Sequence, residues 1–136
     1  MKTAEFQNKV KTIINNDSRY PEDSYEFIND AVIYTVEKKK KEEKCHVSGK
    51  ELLDGVMEFA IFNFGPMAYA VLSEWGIDNG ESVGNIVFNL VKCKILSTNE
   101  NDTIDDFKNY KDFKTLLTTP FETGRNGYTG LLPIIA

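Results

Sequence analysis

Residues 48–65 read SGKELLDGVMEFAIFNFG, and this stretch decides the fold. Ser48 followed three positions later by Glu51 has the form of a capping box: the serine hydroxyl accepts from the Glu51 backbone N–H, and the glutamate reaches back to the serine N–H. Leu52, Leu53, Val56, Phe59 and Ala60 then recur at helical spacing. From Ala60 onward AIFNF is apolar on nearly every side, which predicts a helix running through the middle of a core until Gly65 and Pro66 stop it. A chain built around such a helix is mainly α-helical.

Working toward the C-terminus, Pro66 suits the first turn of a fourth helix through Met67, Val71, Leu72 and Trp75, with Gly76 placed where a helix end wants a left-handed residue. Met67 and Trp75 fall at core spacing. After the turn at Asp78, Asn79 and Gly80, Ser82 can cap a fifth helix that buries Val83, Ile86, Val87, Leu90 and Val91. Residues 94–98 and 103–107 flank a polar turn at 99–102 and are predicted to be two short extended arms. Three compact helices followed by a hairpin is the order of a winged helix. The expected fold is therefore a five- or six-helix domain with a winged-helix-like trihelical core over 45–107 and a short β-hairpin. Tyr110, Phe113, Leu116 and Leu117 predict a short return helix, after which Pro120, Gly124, Gly127, Gly130 and Pro133 argue against regular helix. The domain is thus expected to span 1–117, with an irregular tail over 118–136. The tail ends in Leu131, Leu132, Ile134 and Ile135, which suits docking onto this chain or onto a partner protein, self-association included.

Working toward the N-terminus, Phe6, Val10, Ile13 and Ile14 mark a first helix that Thr3 can cap. Asp17, Ser18, Arg19 and Tyr20 form a turn into Pro21, and a second helix follows over about 21–40, with Glu22 and Asp23 at the positive end of its dipole. Residues 38–44, KKKKEEK, read as a solvated helix end. Residues 1–44 thus form a helical pair appended to the core.

The whole chain has 136 residues, 41% of them hydrophobic, which suits one self-sufficient core. Its two cysteines, Cys45 and Cys93, lack CxxC spacing and read as free thiols. No secretory signal and no long unbroken apolar run is visible, so a cytoplasmic protein without membrane partners is expected. The formal charge of -5 disfavours broad attraction to phosphate backbones.

Candidate sites are few. His46 beside Cys45 is the only histidine, and two ligands in a row do not make a zinc site, so no metal or cofactor is expected. Neighbours in sequence do not activate a thiol, and the carboxylates Asp102, Asp105 and Asp106 form a solvated acidic turn, so no catalytic constellation is visible. An enzyme would need Arg19, His46 and Glu51 to converge, and the same three are the candidate ligand or interaction residues. Arg19, in its turn, either grips an anion or pairs with a carboxylate. Asn85, Asn89 and Lys92 share one face of the fifth helix and form the candidate nucleic-acid face, since asparagine reads adenine and lysine reaches phosphate. Residues 81–118 hold five lysines against six acids, which weakens that reading.

Residues 46–55 (HVSGKELLDG), 64–77 (FGPMAYAVLSEWGI) and 86–96 (IVFNLVKCKIL), together with Asp17, Arg19, Tyr20, Asp102, Asp106 and Phe107, resemble a family of small bacterial proteins without an established activity. The resemblance spans residues 6–113 and omits the tail. It implies the fold and leaves function open. The expectation is a non-enzymatic protein-interaction module, acting through its tail and hairpin edge, with a nucleic-acid-binding regulator as the alternative.

Overall fold

The computed structural model describes residues 3–41, 47–97 and 104–127, with side chains described as far as residue 121. The protein is mainly α-helical: α1 (Ala4–Asn16), α2 (Glu22–Lys41), α3 (Gly49–Phe64), α4 (Ala68–Glu74), α5 (Gly80–Lys92) and α6 (Phe113–Gly127). Local chemistry sets the starts. Thr3 Oγ1 accepts from the Phe6 N–H at 3.1 Å, and the Ser48/Glu51 capping box closes with both bonds at 3.1 Å. Asn79, rather than Ser82, caps α5: its Oδ1 accepts from the Ser82 N–H at 2.8 Å, while Ser82 Oγ accepts from the Asn79 N–H. Asp112 caps α6 through the N–H and hydroxyl of Thr115.

α2 and α3 run antiparallel, as the pairs Lys39–Glu51, Thr35–Gly55 and Phe27–Phe59 show by descending in one helix while ascending in the other. They meet closely at Gly55, where a Cβ would lie 1.9 Å from Thr35 Oγ1. Thr35 is buried and donates its hydroxyl to the Ala31 carbonyl at 2.8 Å, so it cannot turn away freely. The core is filled by Val10, Tyr25, Ile28, Leu53, Val56, Leu72, Ile77, Ile86 and Leu90, to which α6 adds Phe113 and Leu117.

The expected winged-helix core and hairpin are not present among the described residues, which contain no strand. The reason lies at the end of α5. Lys94 takes a left-handed φ of 64°, the Lys94 N–H bonds the Val91 carbonyl, and the Ile95 and Leu96 N–H groups bond the Leu90 carbonyl. This is a Schellman closure, and it commits the donors a strand would need. The second arm is a 3-10 turn, Ile104–Phe107, whose Phe107 packs edge-on against Phe88 and lies over Gly80 and Gly84. Residues 98–103 lie outside the described residues.

Two further expectations change. α6 continues past Pro120 to Gly127, across the boundary placed at 117/118, because Pro120 forfeits its own hydrogen bond while Phe113 and Leu117 anchor the first turns. The apolar end of α3 does not thread the core: Phe62 is 79% exposed, and Met67, expected inside, is 60% exposed. The rest of the tail, 128–136, lies outside the described residues. The α3–α4 segment Gly49–Glu74 has a window of mean hydropathy 1.3, enough by length and composition to cross a membrane, a test that core helices also pass. It is broken by Gly65 at φ 53° and by a 3-10 turn over Gly65–Met67.

Two substitutions test this frame by urea denaturation. Gly55→Ala should lower stability by about 1–3 kcal/mol through overpacking against Thr35. Lys94→Gly should raise it by up to about 1 kcal/mol, because glycine adopts the left-handed closure without the Cβ penalty.

Candidate functional site

The turn between α1 and α2 and the inner face of α5 share a polar network. Arg19 forks onto Asp17, with Nε donating to Oδ1 at 2.9 Å and a terminal nitrogen to Oδ2 at 2.6 Å. Asn89 Nδ2 donates to Asp17 Oδ2 and to the Tyr25 hydroxyl, each at 3.1 Å, and Asn85 Nδ2 donates to the Tyr20 hydroxyl at 3.0 Å. Arg19 also lies over the Tyr20 ring, 5.3 Å from its centroid. Its guanidinium, by hydrogen bonding first and charge second, holds the Asp17 carboxyl well below the usual carboxylate range, with Asn89 helping and burial opposing.

This network places the predicted site residues. Arg19 takes the carboxylate-pairing alternative. Asn85 and Asn89 face inward: Asn89 is buried and Asn85 half-buried, each bonded to a tyrosine, while Lys92 stays exposed. A helix whose asparagines are engaged in the core does not present them to base edges. Glu51 closes the α3 capping box and pairs with Lys39 at 3.1 Å. It is not among the residues lining the cleft beside Arg19. His46 and Cys45 lie outside the described residues. Among the described residues no group of three potential ligands is arranged for a metal.

Two clefts stand out among the described residues. One, of about 580 Å³, lies between α1 and α5 and is lined by Thr12, Asn16, Asp17, Arg19, Asn89 and Lys92, with Ile13 and Cys93. Its opposite charges, Asp17 and Arg19, satisfy each other, which leaves Lys92 as the remaining charge in its lining.

The other cleft, of about 250 Å³, lies between α2, α3 and α4 and has a different chemistry. Phe27 forms its base, with ring centroids 5.5 Å from Phe59, 5.6 Å from Phe64 and 5.7 Å from Trp75. Phe64 meets Trp75 edge-on at 5.9 Å. Phe27 is buried, whereas Phe59, Phe64 and Trp75 are half-buried and line the opening. One wall carries Asp23, Glu26 and Asp30, spaced so that successive turns of α2 place them along one edge; Asn63 closes the far side. Asp23 and Glu26 make no ion pair or hydrogen bond through their side chains among the described residues. Lysine and arginine are absent from the lining. Phe62 stands one step round α3 from Phe59 and Asn63, its ring in solvent.

The cleft went unseen in the sequence because its rings come from three helices. Trp75 and Phe59 were legible only as apolar positions, Asp23 only as part of a helix start, and Glu26 and Asp30 gave no separate signal.

The chain matches no family model, no curated protein and no solved structure.

The Asp17 network carries a pH signature. Its folded-state value lies below the unfolded one, so its stabilisation is complete above about pH 4 and is lost as pH falls toward the folded value. Asp17→Asn should flatten the loss of thermal stability between pH 5 and pH 2.5. The slope should not vanish, because Glu58, lowered chiefly by its bonds to Lys38 and Tyr34, acts in the same direction. Asn89→Ala, which leaves Tyr25 and Asp17 short of a donor, should cost about 1–3 kcal/mol at neutral pH.

Proposed function

We propose that this protein is a non-enzymatic interaction module that holds a short segment of a partner protein in the aromatic cleft between α2, α3 and α4. The observation that carries the reading is the conjunction of half-buried Phe59, Phe64 and Trp75 with the solvent-facing Phe62 beside them and Met67 at the same end of α3. Aromatic residues and methionine are enriched at interface cores, and a fully exposed phenylalanine gains most by being covered. A pocket of about 250 Å³ suits one or two side chains of a peptide better than a whole small-molecule substrate.

The expected route through the hairpin edge loses its basis, because the described residues hold no strand; the tail residues 131–135 lie outside them. The nucleic-acid alternative loses its reading face with the inward turn of Asn85 and Asn89. Lys38, Lys39 and Lys40 pair with Glu58, Glu51 and Glu37, which leaves less of the four consecutive lysines as a free basic patch.

Trp75 is the only tryptophan, so its emission reports the cleft directly. Peptides selected by display against the full chain should shift Trp75 emission on binding, and Phe62→Ser should weaken them at least about tenfold, as hot-spot loss does. If selected peptides leave Trp75 emission unchanged, the cleft is not the binding surface. Phe62 is exposed, so the variant should keep the melting temperature of the parent.

A further inference from the structure

We infer that the occupant of the aromatic cleft is an arginine side chain on a basic segment of a partner protein. This rests on the cleft being the binding surface and specifies its chemistry.

Two features of the cleft point to a planar cation. The first is its electrostatics. Asp23 and Glu26 stand on adjacent turns of α2 with no side-chain partner among the described residues, and the lining holds no lysine or arginine to offset these two. The chain carries 21 acidic against 16 basic residues, so the overall field adds to the local one. A neutral apolar occupant would bring these carboxylates beside a low-dielectric surface and lose part of their hydration without compensation. An anion would meet like charge.

The second feature is the aromatic base. Trp75, the strongest cation-binding ring among the side chains, lines the same opening as Phe59 and Phe64. A cation above these rings is drawn by their quadrupoles while its N–H groups face the carboxylates. Lysine and arginine both carry the charge. Arginine alone adds a flat face that stacks on an indole and an edge with paired donors that suits a carboxylate. Asn63, on the far side, directs its Nδ2 to the Phe59 carbonyl at 2.7 Å, which leaves its carbonyl oxygen as an additional acceptor.

The test is a Trp75 fluorescence titration of the full chain with three peptides that differ only at repeated positions: arginine, lysine, or citrulline, the neutral isostere of arginine. The arginine peptide should bind most tightly, the lysine peptide at least threefold more weakly, and the citrulline peptide at least tenfold more weakly. Raising the salt concentration should weaken the arginine peptide. Asp23→Asn with Glu26→Gln should cut its affinity about tenfold, whereas Asp78→Asn with Glu81→Gln, an equal change of charge at exposed positions outside the cleft, should leave it within twofold. Equal binding of citrulline and arginine, or equal effects of the two double variants, would overturn the inference. Should neutral apolar peptides instead shift Trp75 emission and lose affinity with Phe62→Ser, the cleft stands as a binding surface and the arginine assignment falls. Should none of these peptides perturb Trp75, and none selected by display do so, both fall.

Discussion

The close crossing of α2 and α3 at Gly55 and Thr35 is the constraint on which the rest of the molecule depends. With no Cβ at Gly55, the backbone of α3 approaches the buried Thr35 side chain directly, and Thr35 is fixed in turn by its bond to Ala31. That approach sets the register of the pair. One turn past Gly55, Phe59 reaches Phe27 and Tyr34; toward the other end, Lys39 reaches Glu51. On the outer edge, Glu58 accepts from Tyr34 and binds Lys38 at 2.7 Å. These outer pairs are exposed and contribute little each. The apolar contacts and the glycine set the geometry, and the ion pairs follow from it.

A second fastening acts at the far side of α2. The turn over residues 17–20 is held to α5 by Asn85 and Asn89, which use tyrosine hydroxyls and the Asp17 carboxylate as partners. Polar groups inside a core are tolerated when they are bonded, and here they are: among the described residues no buried side-chain nitrogen or oxygen lacks a partner. α2 and the turn before it are thereby gripped on two sides, by α3 at a glycine and by α5 through Asn89 to Tyr25 and Asp17 and Asn85 to Tyr20. The aromatic cleft lies between these fastenings, on a part of α2 with little freedom to move, and a binding surface on rigid elements loses less entropy when it is filled.

Much of the fold was legible in the sequence where the signal was local. Thr3, the Ser48/Glu51 pair and Gly76 act within one turn of helix, and each does what its residue type and spacing imply. Legibility fails where a partner from elsewhere decides. Ser82 and Asn79 are both good caps, and the sequence cannot show which is chosen. Lys94 carries no sign of a left-handed closure, so its apolar neighbours Ile95 and Leu96 resembled a strand arm while their N–H groups belonged to α5. The spacing of Asn85, Asn89 and Lys92 could not report that Tyr20 and Tyr25 lay against the two asparagines. The run AIFNF marked an apolar helix end and not the side on which it would be left uncovered.

The approach of Gly55 to Thr35 can be observed in solution by a nuclear Overhauser measurement between the Thr35 methyl protons and the Gly55 α-protons. The Thr35 Cγ2 atom lies 2.8 Å from the position a Gly55 Cβ would occupy, so a strong cross-peak is expected. Absence of that cross-peak in the folded protein would contradict the helix crossing on which the register, the aromatic base and the cleft all rest.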